Sequence, residues 1–304
     1  MREKVQVLDE FWIKVIAIIT MTIDHIGIFL ISGNADTTAA YQVGFVFRII
    51  GRLSFPLFAF MLAEGLIHSK NRGRYLSRIA IIWGIILLGD IILYSLFKAG
   101  NTSFLGTLGG DLDGQAFTDL ILYALFIYLL EHPKQKIRPL ASLPVIYIVL
   151  SYALSIADKF GASTATYFPY FIRAPYSLFG FLIFLGFYYS YKIADKGIKK
   201  TLQVTGTDLA SYKQTKEYRS LVNIVGVSLF FIIEIIFWGL SYIDIRIDPY
   251  ETLTMHIQNY CLLDCFILIL YNGKRGYDSK GFRIGEYIYY PLHLAIIALI
   301  FSLI

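Results

Sequence analysis

Loops rich in lysine and arginine alternate strictly along this chain with loops that almost lack them. Nine apolar stretches separate the loops, and most are long enough to cross a hydrocarbon core of about 30 Å as helices. Four loops carry 4, 3, 7 and 4 Lys/Arg, which makes 18, whereas the other four carry 0, 1, 1 and 1, which makes 3. Cytoplasmic loops of membrane proteins hold the excess of positive charge. The pattern therefore predicts a helical protein that crosses a membrane repeatedly. The basic loops are 68–78, 132–139, 191–219 and 272–286, and the others are 33–44, 98–116, 157–171 and 241–252.

The alternation also predicts a topology. We predict an all-α, polytopic helical bundle that forms one transmembrane domain over residues 1–304, with the N-terminus in the cytoplasm and the C-terminus outside. The first span lacks a small-residue cleavage site, so we expect it to remain as a helix. The predicted spans are 12–31, 45–66, 77–96, 117–131, 140–156, 173–190, 221–240, 254–271 and 287–304.

Composition excludes several functional classes. The chain is 57% hydrophobic and 16% charged, whereas soluble domains are nearer one quarter charged. Its net charge of +5 lies in short loops beside apolar spans, so topology accounts for it and we predict no nucleic-acid partner. Cys261 and Cys265 lie in one apolar stretch without metal-site spacing, so we predict buried thiols and no metal.

Ionisable residues inside membrane spans are costly and usually functional. At 1.5 Å per residue, five of them fall at one depth, about 5 Å to the outer side of the midplane. Asp264 falls near the midplane, and His293 about 9 Å deeper than His25. A shared polar chamber and separate interhelical ion pairs both fit this arrangement. The five residues are Asp24, His25, Arg52, Asp90 and Glu234.

Asp24 is expected to pair with an arginine rather than to orient His25. Adjacent residues on a helix point about 100° apart, so Asp24 and His25 face different neighbours. Arg48 and Arg52 share one face of the next span, and Arg52 matches Asp24 in depth. Pro56 cannot donate a hydrogen bond to the carbonyl of Arg52, which predicts a kink there and a cavity beside it.

A second polar group lies near the predicted cytoplasmic end of the second span. Glu64 precedes a run of basic residues there, and further cations follow the eighth span. Anchoring of helix ends and a cradle for a phosphorylated donor are both consistent with this group. The candidate donor-binding residues are Glu64, Lys70, Arg72, Arg74, Lys274 and Arg275.

The residues alone leave two functional classes open. A Ser-His-Asp order, a P-loop, an HExxH motif and a dinucleotide fingerprint are all missing from the sequence. A mid-membrane histidine near pH 7 can transfer protons, which suits an enzyme and a proton-coupled transporter equally.

Three stretches narrow this choice. They are KVIAIITMTIDHIG (14–27), FRIIGRLSFPLFAFMLAEGLIHSKNRGRY (47–75) and LYNGKRGYDSKGFRIGEYIYYPLHL (270–294). Together they resemble the TraX family of bacterial membrane proteins. The motif positions that carry polar side chains are Asp24, His25, Arg48, Arg52, Glu64 and His293.

The resemblance implies an acetyltransferase in the bacterial cell membrane. The founding member is a conjugation protein held responsible for acetylating the N-terminus of the F-type pilin. The family is also similar to membrane acyltransferases that move acetyl groups from cytoplasmic acetyl-CoA to acceptors at the outer face. The implied partners here are the lipid bilayer, acetyl-CoA and an envelope acceptor with an amine or hydroxyl, such as a pilin-like peptide or a surface glycan. Nothing in the sequence itself indicates a pilus.

We therefore expect an acetyl-CoA-dependent acyltransferase with five catalytic candidates. His25 would act as base or transient acetyl carrier, Arg52 would stabilise the thioester oxygen, and Asp24 would hold Arg52. His293 would lie beside the thioester, and Arg48 nearer the outer mouth. The alternatives are a proton-coupled exporter and a non-catalytic scaffold. An exporter should show broken helices in both halves of the chain, and the Pro56 break has no evident counterpart in the sequence.

Overall fold

The computed structural model of the protein describes residues 6–32, 34–101, 112–205, 208–247 and 257–303. Within these ranges the chain is helical, and its isolated bridge joins Leu8 to Tyr271. A 3₁₀ helix (Gln135–Ala141) leads into the α-helix that begins at Ser142, and another (Ile257–Leu263) leads into the α-helix that begins at Asp264. The α-helices are α1 (Glu10–Ile31), α2 (Ala39–Gly51), α3 (Ser54–His68), α4 (Arg72–Lys98), α5 (Ala116–Leu130), α6 (Ser142–Lys159), α7 (Ser177–Thr205), α8 (Leu209–Tyr212), α9 (Lys216–Ile243), α10 (Asp264–Ile269) and α11 (Lys280–Leu303).

The helical membrane bundle predicted from the sequence is confirmed, but the count of nine spans is too high. Six described segments are long and apolar enough to cross a membrane: 10–31, 39–68, 72–98, 135–159, 170–199 and 216–243. A seventh is reached if the bent helix α11 is taken as one span. The predicted span 117–131 and the described part of the predicted span 254–271 correspond to short helices, because polar or 3₁₀ segments limit their regular length. Residues 254–256 of the latter lie outside the described residues.

Several helices begin where the sequence supplies a side-chain cap. The side chains of Asp9, Thr38, Asn71 and Thr215 each accept a hydrogen bond from the backbone N–H three residues further on, over 3.0–3.2 Å. Such caps satisfy amides that have no partner inside the helix. They fix the starts of α1, α2, α4 and α9.

The bundle turns apolar side chains outward and polar ones inward. Along α4, Ile81, Ile85, Leu88 and Ile92 form one exposed stripe, while Asp90 is buried. An exposed apolar stripe of this length suits hydrocarbon rather than water. The core lies around α3, which packs on α7 and α1 through Phe55, Leu57, Phe60 and their neighbours.

Two prolines interrupt spans. Between α2 and α3, the amides of Arg52 and Leu53 bond the carbonyls three residues back, and Pro56 stands in the first turn of α3. This agrees with the interruption predicted at Arg52. Pro291 cannot donate to the carbonyl of Tyr287, and segments 280–286 and 288–301 meet there at 46°. The expectation that the Pro56 break has no counterpart is therefore wrong.

Candidate functional site

Asp24 binds two arginines from the second span. Its Oδ1 accepts a hydrogen bond from Arg52 Nη2 and its Oδ2 one from Arg48 Nη1, both at 2.6 Å. Arg52 Nε also donates to the carbonyl of Arg48 at 3.1 Å. All three residues are buried. The predicted contact between Asp24 and Arg52 is present, and Arg48, expected nearer the outer mouth, shares it.

Glycines allow this close approach. A Cβ at Gly51 would overlap the Asp24 carboxylate, and a Cβ at Gly27 would lie 2.8 Å from the carbonyl oxygen of Gly44. Helices α1 and α2 therefore pack backbone to backbone, which brings Asp24 within reach of both guanidinium groups. Each Asp24 oxygen is already bound by an arginine, so the carboxylate can hold these arginines but is poorly placed to react.

His25 contacts His293 across the seam between α1 and α11. His25 Nδ1 lies 2.7 Å from His293 Nε2, and His293 Nδ1 lies 2.9 Å from the carbonyl oxygen of Tyr289. His293 is buried, whereas His25 is half-buried. The expected 9 Å difference in depth is wrong: α11 begins earlier than predicted, at Lys280, and bends, so counting residues along a straight span misplaced His293.

Two tyrosines enclose the histidine pair. The Tyr289 ring stacks on His293 with centroids 5.0 Å apart and planes 5° apart, and its hydroxyl lies 2.7 Å from Thr22 Oγ1. The Tyr290 ring meets both imidazoles edge-on. We call Asp24, His25, Arg48, Arg52 and His293 the histidine cluster.

The other members of the predicted chamber lie at different distances from this cluster. Tyr290 donates a hydrogen bond to Gln115 Oε1 at 3.2 Å, and the Gln115 side chain bonds Asp90, so Asp90 reaches the cluster through two residues. Glu234 and Asp264 surround the buried thiol of Cys261. Neither carboxylate oxygen of Asp264 has a hydrogen-bond partner in the described part of the chain.

Glu64 forms a second buried cluster at the other end of α3. Arg219 donates to both of its oxygens, at 3.1 and 3.0 Å, and Tyr191 and Tyr271 donate to it at 2.8 and 3.3 Å. Asn223 links Arg219 to the backbone of Tyr271. We call Glu64, Tyr191, Arg219, Asn223 and Tyr271 the Glu64 cluster. Its carboxylate is fully engaged within the protein, so Glu64 stabilises the bundle whether or not a donor binds nearby.

The other candidate donor-binding residues divide into engaged and exposed cations. Arg72 bonds Glu131 at 2.6 Å, Tyr188 at 3.1 Å and the carbonyl of Leu66 at 3.0 Å. Arg275 pairs with Asp278 at 3.0 Å while remaining largely exposed. Three further cations, Lys70, Arg74 and Lys274, are exposed to solvent.

Glu131 is the acceptor that holds Arg72, together with Lys192 at 2.6 Å and Tyr188 at 2.9 Å. Partial burial acts to raise the pKa of Glu131, but the hydrogen bonds from Lys192, Arg72 and Tyr188 outweigh it and lower this pKa to about 2.

Sequence reasoning missed Thr22, Gln115, Tyr289, Tyr290 and Arg219. Thr22 precedes His25 by three residues and Tyr289 precedes His293 by four, so helical spacing could have indicated both. Arg219 falls in the predicted loop 191–219, but in the structure it lies inside α9 and is buried. His256 lies outside the described residues.

Apolar helices with outward-facing apolar stripes and a buried polar interior define an integral membrane protein built as a helical bundle. The model of the family described as TraX protein matches residues 10–160, about half of the chain. The protein belongs to the TraX family. The match covers Asp24, His25, Arg48, Arg52 and Glu64, and His293 lies beyond it.

A curated relative gives a partial match. The chain is 41% identical over 76 residues to a protein of Dichelobacter nodosus described as "Probable fimbrial assembly protein FimC, serogroup H1". The aligned part is 25% of this chain and 28% of the relative, so it spans about a quarter of each protein. No solved structure matches this one.

Proposed function

We propose that the protein is a membrane-embedded acetyltransferase of the bacterial cytoplasmic membrane. It would move an acetyl group from cytoplasmic acetyl-CoA to an amine or hydroxyl at the outer face. The observation that carries the proposal is the half-buried His25 ring, held by His293 beside two arginines that share Asp24. His25 Nε2 has no hydrogen-bond partner in the described ranges, so this nitrogen is available to take a proton from a substrate.

The proposed step is a direct transfer. His25 Nε2 removes the proton from the acceptor N–H or O–H, and the freed electron pair forms a bond to the thioester carbonyl carbon. The carbon–sulfur bond then breaks, and the thiolate of coenzyme A takes the proton back from His25. Negative charge grows on the thioester oxygen in between, and the positive potential of Arg48 and Arg52 would stabilise it.

Charge at the other end of the bundle supports a phosphorylated donor. Lys70, Arg74 and Lys274 are exposed, and the basic loops that contain them are predicted to be cytoplasmic. These side chains would meet the phosphates of coenzyme A. Arg72 and Glu64 are committed to Glu131 and Arg219, so their part would be to position the surrounding helices.

The fimbrial relative makes a pilin-like peptide a reasonable first acceptor to test. The name of that relative concerns fimbrial assembly, and the similarity covers about a quarter of either chain. A pilus-related role therefore enters as part of this proposal.

The test uses the full-length protein in lipid nanodiscs with acetyl-labelled acetyl-CoA and a peptide with a free N-terminus. The wild type should transfer label to the peptide. His25→Gln keeps hydrogen-bonding ability but cannot take a proton near pH 7, so transfer should fall by about 10²–10⁴-fold. His132→Gln, the same change in a loop, is the matched control and should retain wild-type transfer.

Near wild-type transfer by a well-folded His25→Gln variant would show that His25 is not the base. Failure of the wild type to transfer label to peptide, glycan or water would contradict the proposed function itself.

A proton-coupled transporter remains the second candidate because two spans are interrupted four residues before a proline. One interruption lies at Arg52, before Pro56, and the other at Tyr287, before Pro291. In proteoliposomes, a transporter would move an acidic or basic solute against its gradient when a pH difference is applied. An acetyltransferase would release free coenzyme A without such a gradient.

A further inference from the structure

We infer that His25 and His293 form a two-histidine proton relay in which both neutral rings carry hydrogen on Nδ1, and that Tyr289 sets this arrangement. The tautomer assignment stands on hydrogen-bond geometry alone. Its chemical consequence rests on the proposed acetyl transfer.

The carbonyl of Tyr289 determines which nitrogen of His293 carries hydrogen. A carbonyl oxygen can only accept, so His293 Nδ1, 2.9 Å away, must be the donor. A neutral imidazole has one N–H, which leaves His293 Nε2 as an acceptor. His25 Nδ1, 2.7 Å from that nitrogen, must then be the donor of their shared hydrogen bond. The lone pair of His25 therefore lies on Nε2, which points away from His293.

Tyr289 also holds the pair in place through its hydroxyl. Thr22 has one hydroxyl hydrogen, and it donates this hydrogen to the carbonyl of Ile18 at 2.8 Å. The Tyr289 hydroxyl, 2.7 Å from Thr22 Oγ1, is therefore the donor between α11 and α1. This bond lies one helical turn from the histidine pair on both helices. It ties α1 to α11 beside the point where His25 and His293 meet.

The relay lets the proton charge leave His25 during the reaction. When His25 Nε2 takes the acceptor's proton, His25 Nδ1 gives its own proton to His293 Nε2, so the positive charge moves to His293. After the carbon–sulfur bond breaks, the leaving thiolate takes the proton on His25 Nε2, and His293 returns its Nε2 proton to His25 Nδ1. Both rings end as they began, and the products are the acetylated acceptor and coenzyme A.

His293 is the better place for this charge. The Tyr289 carbonyl accepts from its Nδ1–H, and the Tyr289 ring stacks on it at 5.0 Å, which favours a cation over the aromatic face. His25, in contrast, lies within electrostatic range of Arg48 and Arg52, which oppose a positive charge on it, and of the single carboxylate of Asp24, which favours one. His293 is thus a positioning residue that also stores the proton, without touching the substrate.

Nitrogen NMR of the whole protein, with ¹⁵N-labelled histidine, tests the tautomers independently of activity. The chain has five histidines, and His25→Gln and His293→Gln assign the two relevant sets of signals. We expect protonated Nδ1 and unprotonated Nε2 for both rings at neutral pH. A protonated Nε2 on neutral His293 would overturn the assignment.

Kinetics test the relay. His293→Gln can still accept from His25 Nδ1 but cannot take the proton, so kcat should fall by about 10²-fold with KM for the acceptor unchanged. Thr22→Val and Tyr289→Phe each break the hydrogen bond between Tyr289 and Thr22, so each should lower kcat by less than about 10-fold, and the double variant should match the single ones. Wild-type kcat in folded His293→Gln would overturn the relay. A wild type inactive with every acceptor would instead contradict the proposed function and leave the NMR result standing.

Discussion

Two buried charged clusters lie near opposite ends of α3. They differ in whether a titratable side chain keeps a polar atom without a hydrogen-bond partner. Arg52 of the histidine cluster lies just before α3, and Glu64 lies 12 residues further on, about 18 Å away at the rise of a helix. In the Glu64 cluster, arginine and tyrosine donors engage both carboxylate oxygens, and Arg219 also stacks on the Tyr271 ring at 4.3 Å. In the histidine cluster, Asp24 is equally engaged, but the neighbouring His25 ring is half-buried, and its Nε2 nitrogen has no hydrogen-bond partner among the described residues.

This difference suggests that the Glu64 cluster mainly stabilises the fold, whereas the histidine cluster has the features of a reaction site. A buried ion pair whose members are fully bonded contributes mainly to a defined structure, and losing one partner is expensive. A titratable ring held beside charged groups but left partly accessible has the features of a reacting group. Changes in the Glu64 cluster should therefore reduce stability more than turnover, and changes in the histidine cluster should do the reverse.

The largest effect should follow removal of Arg219. Arg219→Met leaves the buried Glu64 carboxylate without its cation, which should cost about 3–5 kcal/mol of stability. Thermal unfolding in detergent measures this loss, with Arg78→Met, an exposed arginine on α4, as the matched control. Adding Glu64→Gln to Arg219→Met should recover part of the loss, because the uncompensated charge is then gone. An unchanged Tm would show that the Glu64 cluster contributes little to the fold.

A slightly smaller effect, of the opposite kind, should follow removal of Arg52. Arg52→Met takes away positive potential from the site but leaves Asp24 paired with Arg48 at 2.6 Å. We expect kcat for acetyl transfer to fall by about 10²–10³-fold, and Tm to fall less than in Arg219→Met. Arg78→Met again serves as control. A loss of Tm as large as that of Arg219→Met, with turnover per folded molecule preserved, would remove the distinction between the clusters.

The smallest effect should come from titrating Glu131, whose ion pairs with Arg72 and Lys192 are more exposed to solvent than those of either cluster. Its pKa is lowered to about 2 in the folded protein, so its stabilising contribution is present above the ordinary value of 4.5 and is lost as pH falls from there to about 2. The side chain of its partner Lys192 is 60% exposed and that of Arg72 is 30% exposed, so solvent screening should limit the effect to about 1 kcal/mol or less. Wild-type Tm should fall more steeply than that of Glu131→Gln over this pH interval. Parallel Tm curves would contradict the assignment.

The class of protein and part of the site could be predicted from the sequence because they depend on local patterns. Apolar stretches and loop charges indicated a helical membrane bundle, and the equal depth of Asp24 and Arg52 indicated their contact. Both inferences need only helical rise and the cost of burying an isolated charge.

The remaining features depend on where helices bend and which neighbours they meet. The contact between His25 and His293 was missed because α11 is bent at Tyr287 and begins at Lys280. Arg219 and Arg72 look like ordinary loop cations in the sequence, yet tertiary packing pairs them with Glu64 and Glu131. The two short helices differ from true spans only in length, which apolar composition does not fix.

The bend at Tyr287 gives α11 the geometry of a lever with its pivot near one end. His293 lies six residues beyond the pivot, about 9 Å along the arm, and Phe301 lies about 21 Å along it. A rotation of about 10° would carry the far end by about 4 Å but His293 by only about 1.6 Å. That shorter arc is still enough to break a 2.7 Å hydrogen bond. A modest swing of this arm would therefore disconnect the two imidazoles while leaving Lys14 paired with Glu286 on the near side of the pivot.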